Sequence, residues 1–169
     1  MSEIDLKPYS LKLKGFKVYK LEEKSNPTPV HSRRDLYKIC LIDGISRIQY
    51  QSKTFEHEGA ILLFGTPHHP YFVNMHLPGY NGYACVFTPE FFENDDNYTI
   101  HHFPFLNSGF SPFFILTEAE TKIITTIFQE MLSEFDSGYF AKDDLIRFYI
   151  CMIIHEVLDL PKSTTSKLN

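Results

Sequence analysis

From about Asp35 to Phe87, apolar residues recur in short runs broken by polar or glycine-bearing pairs. DLYKICLI leads into Asp43-Gly44, a dipeptide that favours a tight hairpin turn, and ISRIQY follows at once. EHEG predicts a second turn, and AILLFG, YFVNMHL and YACVF predict further strands. Upstream, FKVYKLEEK predicts one more strand, and the prolines of SNPTPV predict a loop. Short strands separated by turn signals predict an antiparallel sandwich or barrel.

After Thr88-Pro89 the pattern changes. EFFEND predicts a short helical turn, DNYTIHHFPFLNSGFSP an irregular aromatic connection, and FFIL a short strand. Thr117 and Glu120 then have the spacing of a capping box, with Thr117 as N-cap and Glu120 at the third helical position. Ile123, Ile124, Ile127, Phe128, Met131, Leu132 and Phe135 follow at helical spacing, and Gly138 is the expected stop. A second helix is predicted from about Ala141 to Leu160, ending before Pro161. Its stretch LIRFYICMII is apolar nearly all round and therefore needs cover on two sides. The first helix would supply one side, and the barrel or another subunit the other. The expected class is mainly β with α, a β-barrel followed by an antiparallel helical hairpin.

Alternation along DLYKICLI puts Tyr37, Ile39 and Leu41 on one face and Leu36, Lys38, Cys40 and Ile42 on the other. In YACVF it sets Tyr83, Cys85 and Phe87 against Ala84 and Val86. Both faces carry apolar residues, so periodicity leaves open which one points inward.

Composition narrows the class. A chain of 169 residues with 43% hydrophobic and 15% aromatic content suits one domain with a real core. No apolar run approaches the length of about 18 residues that a membrane helix needs, and MSEIDLKPYSLKLKG lacks a signal-type apolar core. Cys40, Cys85 and Cys151 lie far apart in apolar runs, which fits buried thiols in a reducing cytoplasm. The net charge of −5 lacks the basic footprint of a nucleic-acid-binding domain.

The histidines raise the question of a metal. A catalytic mononuclear site takes about three protein ligands, and paired ligands on a strand read H-x-H because alternate side chains share a face. His68 and His69 are adjacent, as are His101 and His102, and His31 and His57 are isolated, with His57 in the predicted EHEG turn. No Gly-rich phosphate loop, G-x-S-x-G elbow or C-x-x-C is present, and the carboxylates of Glu93 to Asp96 read as solvated surface. No catalytic residue, metal ligand or cofactor is expected.

The block from Gly59 to Asn74, GAILLFGTPHHPYFVN, resembles the second half of the cupin signature. That signature reads glycine, five residues, Pro-x-Gly, two residues, histidine, three residues, asparagine. Here Gly59 is followed by AILLF, Gly65-Thr66-Pro67, His68-His69 and Pro70, and Asn74 closes the motif. Pro70 occupies the place of the metal-binding histidine, and Tyr50 and Ser52 stand where the first half of the signature wants H-x-H after Gly44. A metal-free cupin followed by a helical hairpin looks like the N-terminal sensor and dimerisation domain of AraC-family transcriptional regulators. The run RRDLYKICLIDG…IQY…LFGTPHHPYF…GYACVFTPEFF is similar to a subgroup reading close to R-D-Y-K-I, N-P-x-x-P-Y and G-Y-x-C-x-F-T-x-x-F. The resemblance covers most of residues 30–160.

The resemblance implies a cupin-like jelly-roll (double-stranded β-helix) barrel over residues 31–112 after an N-terminal arm and first strand in 1–30. A closing strand and dimerising hairpin would follow in 113–160, then a linker in 161–169. It implies a non-catalytic cytoplasmic chain that binds an unknown small-molecule effector and forms a homodimer. DNA would be contacted only through a C-terminal helix-turn-helix domain that these residues do not encode; either a chain cut at its linker or a stand-alone sensor fits. Effector contacts are expected from Arg33, Arg34, Tyr37, Ile39, His69, Tyr71 and Tyr83, since phenols stack and hydrogen-bond and arginines meet anionic or polyol groups. Ile124, Ile127, Phe128, Met131, Phe148 and Met152 are the expected dimer residues. The rival is a small metal-dependent cupin enzyme, a dioxygenase or isomerase, using His31, His57, His68, His69 or His101.

Overall fold

A computed structural model describes residues 15–22, 30–31, 36–50, 53–66, 71–93 and 113–158. The strands are β1 (Phe16–Glu22), β2 (Val30–His31), β3 (Tyr37–Tyr50), β4 (Lys53–Gly65), β5 (Tyr71–Phe87) and β6 (Phe113–Ile115). The helices are α1 (Glu90–Glu93), α2 (Glu118–Phe135) and α3 (Lys142–Leu158). The six strands form one antiparallel sheet in the order β1-β5-β3-β4-β6, with β2 also pairing with β5.

Two expected turns are strand interior instead. Asp43-Gly44 does not reverse the chain: β3 runs through it, and the reversal into β4 falls between Tyr50 and Lys53. EHEG likewise lies inside β4, where Gly59 pairs with Gly44. The two glycines have φ values of 119° and 148°, which side-chain-bearing residues rarely adopt. Facing each other across the ladder, they bend both strands at one level without ending either.

The bend is sharp. The rings of Phe55 and Phe113 meet edge-on with centroids 6.1 Å apart. Yet Phe113 pairs with Leu63, and Phe55 to Leu63 would span about 26 Å on a straight strand at 3.3 Å per residue. The hairpin therefore doubles over, enclosing one face of the sheet. β5 follows it: Asp43 pairs with Asn81 but Ile45 pairs with His76, so Leu77, Pro78, Gly79 and Tyr80 stand opposite Gly44 alone. On its other half, Gly82 allows close approach, since a Cβ there would lie 1.8 Å from the Leu41 carbonyl oxygen.

Two cores result, one on each face of the first half of the hairpin. Cys40, Ile42, Ile48, Ile61, Leu63, Ala84 and Phe113 fill the enclosed face. Tyr37, Ile39, Leu41, Leu62, Phe64, Cys85 and Phe87 face the other way and pack with α1, α2 and α3. The face left open by periodicity is thus settled: Lys38, Cys40 and Ile42 point inward, Tyr37, Ile39 and Leu41 toward the helices.

The helices form as their patterns predict. Glu120 N–H donates to Thr117 Oγ1 at 3.2 Å and Thr117 N–H donates to Glu120 Oε1 at 2.9 Å, closing the capping box at the start of α2. Ile124, Ile127, Phe128 and Met131 recur along one side of α2 and are buried. The helix ends at Phe135, ahead of Gly138. In α3, Ile146, Ile150, Cys151, Ile153, Ile154 and Val157 are buried, a wide arc that meets the need for cover on two sides. Arg147 ties α3 to α1: its Nε donates to the Phe91 carbonyl at 2.6 Å, and its guanidinium lies 4.4 Å from the centre of that ring.

Candidate functional site

The enclosed face is built by parity. Even residues of β3 and odd residues of β4 point inward, so Ser46 pairs with His57 and Ile48 with Phe55 on the inner side. Their neighbours point out: Ile45, Arg47 and Gln49 are exposed, as are Thr54, Glu56 and Glu58. Arg47 and Glu56, also directly paired, form an exposed ion pair at 2.6 Å on the outer side. The register therefore assigns Ser46 and His57 to the interior without ambiguity.

The inner wall is apolar apart from a few groups. Lys38 is buried, and its Nζ lies 5.9 Å from the centre of the Tyr19 ring. Cys40 beside it has its thiol pushed up to about 11 by burial, which the Lys38 ammonium only partly offsets. On the helix side of the sheet, burial also raises the Cys85 thiol, so both stay protonated at neutral pH and are poor nucleophiles. Ser46 is fully buried, and its Oγ has no hydrogen-bond partner among the described residues. His57 is half-buried across from it, in a strand and not in the solvated turn expected of it.

Three of the residues expected to touch an effector come together elsewhere. Tyr37 and Ile39 are buried in the sheet–helix core, where Tyr37 stacks on Phe87 with centroids 5.3 Å apart. Tyr83 faces the same layer, stacks on Phe128, and accepts a 3.4 Å hydrogen bond from Gln129 Nε2. All three therefore join sheet to helices instead of lining the enclosed face. Tyr71 lies on β5 opposite Tyr50, with its side chain outside the described set. Arg33, Arg34, His68, His69, His101 and His102 lie outside the described residues, as do Pro67 and Pro70 of the cupin-like motif. His31 is placed on β2 opposite Phe72.

The expected dimer residues divide. Ile124, Ile127, Phe128 and Met131 are already covered within the chain by the sheet and α3, which removes them as a contact surface for a second copy. The reason is that the apolar stripe of α2 is the stripe the sheet requires. Phe148 and Met152, one turn apart on α3, are 54% and 48% exposed on the side away from the sheet. Between the two helices, the Tyr149 hydroxyl is raised by burial and by the carboxylates of Glu130 and Glu134.

Beside the bend lies an open groove of about 570 Å³ between the sheet and α2, whose floor includes Asp43 and Ala60 and whose wall includes Thr121, Thr125 and Gln129. Among the described residues, no three His, Cys, Asp or Glu side chains are grouped as a metal site would require. Among the described residues, no helix is long and apolar enough to cross a membrane.

No family model and no curated protein matches the chain. Among solved structures it is similar to the AraC-like transcriptional activator CuxR, at 13% identity over 83% of this chain and 48% of that one, with a TM-score of 0.46. It is also similar to ToxT from Vibrio cholerae, at 17% identity over 90% of this chain and 58% of that one, with a TM-score of 0.45. A cupin protein from Bacteroides fragilis is similar at 16% identity over 60% of this chain and 83% of that one, with a TM-score of 0.35. The chain spans about half the length of the two regulators it is similar to.

Proposed function

We propose that this chain is the effector-sensing and dimerisation domain of an AraC-family transcriptional regulator. In this reading the folded-over sheet is a cupin-type jelly roll, and α2 and α3 are the antiparallel hairpin behind it. The chain carries no catalytic centre and acts in the cytoplasm. DNA is contacted by a helix-turn-helix region encoded downstream of Asn169 in the parent protein.

The observation that carries the reading is the division of labour between the two faces of one sheet. The enclosed face is apolar with a few inward polar groups, the usual character of a small-molecule site. The opposite face is sealed by α2 and α3, whose outer stripe presents Phe148 and Met152. An effector held on the first face is separated from a partner on the second by one layer of packed sheet and helix. Differential affinity of the effector for two dispositions of those layers would couple it to the DNA-binding region. The cupin-like motif from Gly59 to Asn74, with Pro70 in the ligand position, agrees with a binding module that needs no metal.

Light scattering after size exclusion tests the association. A dimer is expected, reduced to monomer by Phe148→Asp with Met152→Asp, and a wild-type monomer at high micromolar concentration would remove the dimer from the reading. Stoichiometric iron, manganese, nickel or zinc in the purified protein would favour the metal-dependent enzyme instead. A downstream helix-turn-helix in the parent reading frame would support the regulator directly.

A further inference from the structure

We propose that Ser46 and His57 form a polar subsite on the enclosed face, donating together to one oxygen of a chiefly apolar carbonyl or carboxyl compound. The inference rests on the sensor reading above and names the part of the effector that the sheet holds.

Ser46 is the sharper observation. It is fully buried, and its Oγ makes no hydrogen bond among the described residues. Buried hydroxyls in native folds are nearly always bonded, because leaving one unmade loses its hydration without replacement. A violation of that kind inside a site is expected where a ligand completes the bond.

Directly across the ladder stands His57, on the same inner side. A Cβ placed on Gly59 would lie 3.5 Å from His57 Nε2, so the imidazole leans along β4 toward the bend, over the glycine. Gly59 itself bends the strand beneath the ring. Cβ atoms of directly opposed residues on neighbouring strands stand about 5 Å apart. At that separation the hydroxyl and the imidazole can both reach the same ligand atom.

The donor inventory sets the ligand's chemistry. The serine hydroxyl and an imidazole N–H can both donate, and a carbonyl or carboxylate oxygen has two lone pairs to receive them. Ile48 and Phe55, the next inward pair, and the cluster of Ile42 and Ile61 beyond the bend are apolar. Among the described residues, a water in the same place would find these two partners and otherwise apolar walls. That is the low end of the roughly two to four partners a buried water takes. The same walls favour a ligand whose remainder is hydrocarbon.

Calorimetric titration of the chain with octan-2-one, sodium octanoate and octane tests the subsite. At least one oxygen-bearing probe is expected to bind saturably, and Ser46→Ala and His57→Leu are each expected to weaken it about fivefold, the effect of one lost hydrogen bond. Weaker octane binding, if measurable, should be unchanged by either substitution. A second readout separates a binding role from a structural one: Ser46→Ala should leave the thermal midpoint of the free protein unchanged or raise it. A midpoint lowered by several degrees would mean that the hydroxyl is bonded in the free fold, and would overturn the inference. So would wild-type affinity in both variants, or failure of both oxygen-bearing probes to bind. A dimer that binds a probe independently of Ser46 and His57 would lose this subsite and keep the sensor reading. The loss of both is marked by a monomer that binds neither probe.

Discussion

Tyr83 of β5 stacks on Phe128 of α2 with ring centroids 5.6 Å apart and planes 13° from parallel. This contact joins β5, which lies between β1 and β3, to the helix that covers it. Phe128 is fully buried, so Phe128→Ala is expected to cost about 3–5 kcal/mol. Phe148→Ala, on the exposed side of α3, is expected to cost under about 1 kcal/mol of domain stability while weakening self-association. Urea unfolding and light scattering on the two variants should give opposite rankings; the same ranking in both assays would contradict the assignment of the two faces.

The glycines of the sheet are not equivalent. Gly82→Ala would press a Cβ to 1.8 Å from the Leu41 carbonyl oxygen, a backbone clash that no rotamer relieves, and a loss above about 3 kcal/mol or failure to fold is expected. Gly59→Ala meets no such clash but keeps φ near 119°, and about 1–3 kcal/mol is expected from strain. Gly138→Ala, with nothing within 4 Å of the added methyl, should be near neutral. Thermal melts of the three variants check this order.

Alkaline pH should destabilise the fold. The Cys40 thiol is held at about 11 by burial, against an ordinary value of 9.0. Between those values the unfolded chain has released the proton and the folded chain still binds it, so stability falls as pH rises through that window. The slope for one such thiol is about 1.4 kcal/mol per pH unit. Cys85 is raised by burial as well and contributes with the same sign. The urea midpoint is expected to fall from pH 9 to pH 10, and to fall less in Cys40→Ala; parallel slopes would rule out the Cys40 contribution.

Arg147 makes three contacts of unequal worth. Its bond to the Phe91 carbonyl and its stacking over that ring are partly shielded, whereas its ion pair with Asp144 ends on a carboxylate that is 70% exposed. Exposed pairs contribute little. Asp144→Ala is therefore expected to cost under about 0.5 kcal/mol, and Arg147→Ala about 1–3 kcal/mol. Equal effects in chemical denaturation would place the energy in the ion pair instead.

The helices were the most legible part of the chain. The Thr117–Glu120 capping box and the apolar spacing from Ile124 to Met131 are local signals, and local signals are what a single sequence carries. Asp43-Gly44 and EHEG misled for the complementary reason: a glycine marks unusual backbone, but whether the chain turns or bends there depends on what lies across the ladder. Gly44 opposite Gly59 is a pairing fact, invisible when each strand is read alone. The same limit moved Tyr37, Ile39 and Tyr83 to the helix side and returned Ile124 through Met131 to the core, since periodicity finds an apolar stripe without naming its cover. Ser46 was passed over because a lone serine in a strand looks like a solvent-side residue, and His57 reads as part of a solvated turn, entering only as a metal ligand of the rival enzyme. One signal was available: in ISRIQY, alternation groups Ser46 with Ile48 and Tyr50, opposite Arg47 and Gln49.

Among the described residues β1 pairs only with β5, from Phe16 against Phe87 to Glu22 against Asn81. During synthesis, β1 therefore waits about sixty residues for its partner, while β3 and β4 begin to pair once Lys53 emerges. The order of assembly is the reverse of the order of translation at this edge. A nascent chain stalled before Tyr83 carries a finished β3–β4 hairpin and a β1 whose partner strand is still incomplete.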